Sequence, residues 1–430
     1  MCYIEKKGWL FLLLIILLGI IERILIFKIS PFALGDQQTD YGILWNAAKI
    51  FSEGEWTLSK SWTTVFMFGI SCKLLGTNPE VAWITAGFLQ ITTCIMMFYL
   101  VRTISNGLGG LIACTLYFLS PVFAIDVFHV ATEHTYAFFL VCTLFALLKK
   151  KVILAMIFSL FAMWSRAEGI LFVVLIPIWT LLDAIYNRNN HKYFVRKELL
   201  LFLVITTGAL FATTLNKQMG QASSVFCSND NWWPRLMGSN VETGGAFSGD
   251  DCVMIWERYH SLHPEVDWEM SSDGRLPLKM CGQCPQEVIP LIKEEIINRW
   301  SNMSVKTFFS HIMSKEIIDW NTNIIHFNTE RGYGFLAVAA FALIFPCLII
   351  IGGFLFLVTM MQHLFKHGRL KIEYLRVCII IPFLLGNWLL LSIVECMPRY
   401  GFALHLLGAI IASLGFIEVM KQSKDRISEH

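Results

Sequence analysis

Charge is scarce in this 430-residue chain: Asp, Glu, Lys and Arg together make up 15% of it, against about a quarter in an ordinary soluble domain. That deficit excludes a conventional soluble globular protein. An excess of one sign is missing too. Lys and Arg total 34 and Asp and Glu 32, so no nucleic-acid partner is expected. Internal repeats and mid-membrane charges, the marks of a carrier, are not evident. The Cys281-Gly-Gln-Cys284 spacing has no second cysteine pair beside it, so neither a metal site nor a cofactor is expected.

What is present is apolar. Residues 9–21, 80–101, 107–125, 198–215, 335–360 and 377–394 form runs with almost no charge, and a spanning helix needs roughly 20 such residues. The first run follows Lys6 and Lys7 as a secretory signal would. However, Glu22, Arg23 and Lys28 come next without a small-residue cleavage site, so it reads as a retained helix. Lys and Arg gather at Lys6–Lys7, Arg102, Lys149–Lys151, Arg188 to Lys197, Lys366 to Lys371 and Lys421 to Arg426. Cytoplasmic loops carry such clusters, so the chain crosses an even number of times between them. Three apolar stretches, 8–28, 62–76 and 80–101, fall in the first interval. The 62–76 stretch is short and holds Lys73, so it reads as re-entrant or surface-lying.

The expectation is an all-α polytopic membrane protein with about ten spanning helices. Both termini are cytoplasmic, and two large outer loops lie at 29–79 and 216–334. The chain divides into an N-terminal transmembrane module at 1–215, an extracytoplasmic loop at 216–334 and C-terminal transmembrane helices at 335–430.

Ionisable groups at a membrane are costly without a role, and four outer turns carry them. The first reads Gly35-Asp36-Gln37-Gln38-Thr39-Asp40-Tyr41 and leads into Ile43, Leu44, Ala47, Ala48, Ile50 and Phe51 at helical spacing. Either aspartate caps that helix or serves as a general base on a hydroxyl. The second turn holds Asp126, His129, Glu133 and His134, as a solvated turn or the wall of a polar pocket. The third is Ser165-Arg166-Ala167-Glu168-Gly169, where Arg166 forms a local ion pair or clamps a phosphate. The fourth is Glu395-Cys396-Met397-Pro398-Arg399-Tyr400. Its proline breaks a helix at the outer face. Two arginines at one surface suit an anionic lipid phosphate.

In order and sidedness these stretches resemble the GT-C fold membrane glycosyltransferases, the group that includes protein O-mannosyltransferases and the lipid A aminoarabinose transferase. Asp36 to Trp56 is similar to the family's acidic first loop, and Leu119-Ser120-Pro121 to its next region. Ser165 to Gly169 resembles Arg-Pro-Glu-Gly with Ala167 in place of Pro. Ile297 to Trp320 resembles an amphipathic outer segment ending in Lys and Trp, here Lys315 and Trp320. Glu395 to Tyr400 resembles the family's Pro-Arg-Tyr.

The resemblance implies a GT-C-like fold and a polyprenyl-phosphate-sugar donor in the lipid bilayer. It also implies inversion at the anomeric carbon, with polyprenyl phosphate leaving. It makes Asp40 or Asp36 the catalytic carboxylate and Arg166, Arg399 and Lys315 the donor-phosphate ligands. Tyr41, Glu133, His134, Glu168, Glu395 and Tyr400 would line the substrate pocket. Many members have an adjacent Asp-Glu pair in the first loop; here the two aspartates are separated. Tyr41 and the helix that begins beside it favour Asp40.

The 216–334 loop is rich in tryptophan, including Trp232, Trp233, Trp256 and Trp268. Such rings stack on sugars or anchor at interfaces. Of twelve cysteines, Cys227, Cys252, Cys281 and Cys284 share this loop, and an outer location permits disulfides in any of three connectivities. Paired outer cysteines and the richness in Ile, Phe and Lys suit a bacterial inner membrane with the site facing an oxidising periplasm. The acceptor expected there is an O-antigen-like surface glycan or a lipid-linked glycan. An O-antigen polymerase or ligase is the competing reading, and the acidic first loop argues against it. A lipid-linked glycan flippase is a more distant alternative.

Overall fold

The structure, a computed structural model, describes residues 2–29, 40–55, 61–186, 191–218, 232–245, 248–271, 274–280, 285–320, 333–368, 377, 380–393 and 402–428. Among these residues there are helices and short 3-10 turns but no β-strand; an isolated antiparallel bridge joins Met270 and Pro277. Apolar chain surrounded by lipid must satisfy its backbone internally, and helices do so.

The helices are α1 (Cys2–Ile29), α2 (Asp40–Ser52), α3 (Trp62–Leu75), α4 (Pro79–Ile104), α5 (Gly107–Phe118), α6 (Pro121–Asp126), α7 (Thr132–Leu148), α8 (Val152–Ser165) and α9 (Ile170–Tyr186). They continue with α10 (His191–Gln218), α11 (Trp232–Gly238), α12 (Gly249–Leu262), α13 (Ile289–Ser301), α14 (Val305–Trp320), α15 (Tyr333–His367), α16 (Ile380–Ile393) and α17 (Phe402–Ser428). Local chemistry sets several starts. Pro79 and Pro121 open α4 and α6, where a missing N–H costs nothing. The Asn106 side chain accepts from Gly109 N at 2.8 Å and caps α5.

Among the described residues, five helices are long and apolar enough to cross a membrane: Lys7–Lys28, Pro79–Ile104, Glu198–Leu215, Leu343–His367 and Ala403–Lys424. Six shorter apolar helices accompany them among the described residues, α3 included. The helix α3, expected to be re-entrant or surface-lying, is enclosed at its start, where Trp62 to Val65 are buried, and exposed at its end, at Leu74 and Leu75.

The chain forms two compact units. The first comprises Met1–Cys227, Thr322–Asn387 and Phe402–His430, and the second Ser228–Asn321 with Trp388–Gly401. In the first unit α4, α5, α7, α8 and α17 build the core around Met97, Phe98, Tyr117, Phe118, Leu140, Leu144, Leu406 and Ile410. The apolar window of α17 is 83% buried, whereas that of Glu198–Leu215 is 17% buried. The former is an internal helix and the latter is mostly exposed among the described residues. Glycines allow α15 and α17 to touch: a Cβ on Gly415 would lie 2.0 Å from the Gly352 carbonyl oxygen. A second cluster joins α2 to α3 through Leu44, Trp45, Ala48, Val65 and Phe68.

The second unit packs α11, α12 and α13 around its own core of Trp233, Leu236, Cys252, Ile255, Trp256, Tyr259, Val288 and Ile292, and it also includes α14. The long polar loop of the sequence is therefore a folded helical body.

Candidate functional site

Among the described residues, the third turn gathers ionisable side chains around one arginine. Helix α8 ends at Ser165, Arg166 is extended with φ −148° and ψ 142°, and a single 3-10 turn covers Ala167–Gly169. The turn folds tightly over the end of α8. A Cβ on Gly169 would sit 2.3 Å from the Met163 amide nitrogen, a contact that backbone cannot relieve. The break points the Arg166 guanidinium back at its own turn. Its Nη2 donates to Glu168 Oε1 at 2.8 Å, and its Nε spans both Glu168 oxygens at 3.2 and 3.3 Å. Its Nη1 pairs with Glu133 Oε1 from the start of α7 and approaches Thr132 Oγ1 at 3.4 Å. All three charged side chains are largely enclosed, at 12% (Arg166), 4% (Glu133) and 16% (Glu168) exposure. One guanidinium between two carboxylates leaves a formal excess of one negative charge.

Hydroxyls extend this cluster to the first outer loop. Thr132 Oγ1 donates to Glu133 Oε2 at 3.1 Å. Thr135 Oγ1 donates to the Thr132 carbonyl at 3.0 Å, which leaves Thr64 Oγ1 to donate to Thr135 Oγ1 at 2.7 Å. Ser61 Oγ donates to Thr64 Oγ1 at 2.7 Å, and Thr63 Oγ1 to the Phe161 carbonyl at 2.9 Å. The start of α3 is thus stitched to α7 and α8 by buried hydroxyls.

A second meeting point joins the first loop to the second turn. Helix α2 begins at Asp40, and the Tyr41 ring stacks on His129 with centroids 4.4 Å apart. Asp126 is 3% exposed. His134, expected in the substrate pocket, is fully enclosed: Nε2 faces the Asp126 carbonyl at 2.7 Å and Nδ1 faces Gln90 Nε2 at 3.4 Å. The structure therefore brings Tyr41 to the second turn and brings Glu133, Arg166 and Glu168 together. The side chain of Asp40, and the whole of Asp36, Glu395, Arg399 and Tyr400, lie outside the described residues.

Lys315 sits elsewhere, in the second unit. It is fully buried, and its Nζ donates to the Ser392 carbonyl at 2.8 Å and the Gly238 carbonyl at 3.2 Å. Gly238 ends α11, where carbonyls have no helical partner and a cation is favoured. His311 Nε2 also donates to that carbonyl, at 2.9 Å. Burial holds the His311 imidazole below its usual value; the Gly238 carbonyl pulls the other way and the Lys315 charge adds to the lowering. His311 and Lys315 thus share the Gly238 carbonyl.

The aromatic rings of this unit mostly face one another. Trp268 stacks on Trp256 and on Tyr259, each with centroids 5.2 Å apart, and the Lys279 ammonium lies over Trp268 at 4.7 Å. Arg235 and Lys293 lie over Trp232 at 4.8 and 4.7 Å. Cys252 is buried in the same core, and Cys227, Cys281 and Cys284 lie outside the described residues.

Sequence reasoning missed several buried polar residues. Arg23 and Gln90 meet inside the first unit, and Tyr136 Oη donates to Asn387 Oδ1 at 3.1 Å across 251 residues. Arg23 follows Glu22 at the end of an apolar run, the signal that offers a hint; Gln90 and Asn387 carry none.

No protein-family model matches the chain, and no curated protein does. Solved structures do match. The oligosaccharyltransferase AglB from Archaeoglobus fulgidus, in complex with an inhibitory peptide and a dolichol-phosphate, aligns at TM-score 0.54 and 12% identity over 98% of this chain. The chain spans about half of that protein, 51%. ArnT from Cupriavidus metallidurans bound to undecaprenyl phosphate aligns at TM-score 0.41 and 12% identity, over 95% of this chain and 78% of the other. At such identities the likeness to AglB is one of fold, and the fold of this chain is all-helical, polytopic and GT-C-like.

Proposed function

We propose that this protein is a membrane glycosyltransferase that moves a sugar from a polyprenyl-phosphate donor to an acceptor hydroxyl on the extracytoplasmic face. The observation that carries the reading is the convergence, within a GT-C fold, of the first outer loop, the second turn and the third turn. Tyr41 stacks on His129, and Arg166 binds both Glu133 and Glu168. Enclosed charge at membrane turns is costly and is retained where it serves a site.

In this reading Asp40, or Asp36, removes the proton from the acceptor hydroxyl. The freed oxygen attacks the anomeric carbon from the face opposite the phosphate, with inversion. The bond from that carbon to the phosphate oxygen breaks, and polyprenyl phosphate leaves. Arg399 stabilises the charge it gains. The Arg166 charge is already offset by two carboxylates, so we assign Glu133, Arg166 and Glu168 to hydrogen bonding of sugar hydroxyls rather than to the phosphate. Lys315 we assign to holding the segment before Glu395 and Tyr400. An O-antigen-like glycan of a bacterial inner-membrane pathway is the acceptor class that suits the outer cysteines. The aspartates provide the test. Asp40→Asn and Asp36→Asn are expressed separately, membrane levels are matched, and transfer from a polyprenyl-phosphate sugar is measured. Loss of roughly 100-fold or more in one variant is expected, the scale of general-base catalysis. Full activity in both would reduce the aspartates to helix caps and favour a polymerase or ligase.

A further inference from the structure

Three side chains from three separate helices grip one short stretch of backbone. Arg23 of α1 donates from Nη1 to the Phe118 carbonyl at 3.1 Å. Gln90 of α4 donates from Nε2 to the Phe123 carbonyl at 2.6 Å. His134 of α7 meets the Asp126 carbonyl through Nε2 at 2.7 Å. These carbonyls belong to the end of α5 and to α6. Pro121 interrupts the hydrogen-bond ladder there and leaves backbone acceptors in need of donors.

The three side chains are also bonded to one another. Arg23 Nη2 and Nε donate to Gln90 Oε1 at 2.7 and 3.1 Å. A carbonyl only accepts, so His134 Nε2 carries the hydrogen. In the neutral ring Nδ1 then accepts from Gln90 Nε2 at 3.4 Å. The guanidinium thus fixes which end of the Gln90 amide faces Phe123, and Gln90 fixes the imidazole. Arg23 is 6% exposed and Gln90 and His134 1% each. Placing such groups among apolar helices is unfavourable unless every donor is used.

What the chain of bonds holds leads to the first outer loop. The Asp126 carbonyl accepts from the His129 amide at 3.0 Å as well as from His134. His129 is the ring on which Tyr41 stacks, and Tyr41 follows Asp40 at the start of α2. We propose that Arg23, Gln90 and His134 are positioning residues: they lock the second outer turn and, through the His129–Tyr41 stack, set the place of Asp40. The consequence for rate rests on the catalytic reading of Asp40; the consequence for geometry does not.

The test uses the full-length chain carrying Tyr41→Cys and His129→Cys, with the 41–129 disulfide quantified by mass spectrometry after brief oxidation. Gln90→Leu is introduced into this background and, separately, into the otherwise natural chain. Expected are a clear fall in 41–129 cross-linking at unchanged folded yield, and a roughly 10- to 100-fold lower kcat with donor KM little changed. Arg23→Lys keeps a charge but cannot fork between Gln90 and the Phe118 carbonyl. It should reproduce both effects more mildly, and it serves if Gln90→Leu does not fold. Unchanged cross-linking in the folded variants overturns the proposal and leaves the three residues a role in stability alone. Reduced cross-linking in a protein whose unsubstituted form transfers no sugar supports the positioning and overturns the glycosyltransferase reading.

Discussion

Sharing one guanidinium between two enclosed carboxylates makes the members of the Arg166 cluster unequal. Arg166→Met strands Glu133 and Glu168 side by side, and losing one partner of a buried pair costs about 3–5 kcal/mol. Glu168→Gln leaves Arg166 on Glu133 and keeps a hydrogen bond, so a loss of only about 1 kcal/mol is expected. Chemical unfolding in detergent should rank the two variants in that order, and equal losses would mean that water screens the cluster. Half of this arrangement is legible in the sequence. Arg166 and Glu168 are two residues apart and read as a local pair. Glu133 is 33 residues away, and nothing in its neighbourhood points to Arg166. Arg23 reads as one charge among several at the end of a helix, and Gln90 sits in a run notable for having almost no charge. Enclosed polar partners are chosen by packing, which a single sequence does not display.

Among the described elements, α15 and α17 approach closely at a pair of glycines. The Gly415 position has no room for a methyl, since a Cβ there would meet the Gly352 carbonyl oxygen at 2.0 Å, whereas one on Gly353 would have nothing within 4 Å. Gly415→Ala should therefore destabilise by about 1–3 kcal/mol, the usual cost of overpacking. Gly353→Ala should be neutral or slightly favourable, because it only restricts the unfolded chain. Thermal unfolding of the two variants side by side checks this, and a tolerant Gly415→Ala would mean that the helices separate easily. Helix existence is legible at the apolar runs, since twenty apolar residues in a row have few alternatives. The 216–334 region reads as a loop because its apolar residues are spread among Gly, Pro and charges. Its helices α11 to α13 are stabilised by each other, through Trp233, Ile255, Trp256 and Ile292, rather than by any one amphipathic pattern. Its aromatic rings invite a sugar-stacking role, yet Trp268 faces Trp256, Tyr259 and Lys279.

For the whole molecule, the distribution of Lys and Arg sets orientation. An alkaline phosphatase, active only outside the cytoplasm, should be inactive when fused after Ser428 and active when inserted in the exposed turn at His263–Glu265. The reverse pattern would invert every outer turn and with it the site. Fold class is legible because solvent dictates it: a chain this apolar has helices or closed barrels as its choices, and its runs are too long for strands. One feature of the second unit bears on how the molecule is made. Lys315 and Ser392, joined by the lysine ammonium, are 77 residues apart. At about 5–20 residues per second of synthesis, Ser392 leaves the ribosome roughly 4–15 s after Lys315. In the topology proposed from the basic clusters, α14 waits outside the membrane throughout that interval while later helices are threaded through the insertion machinery. The second unit is therefore closed late, and a nascent chain arrested between these residues would present it open to proteases.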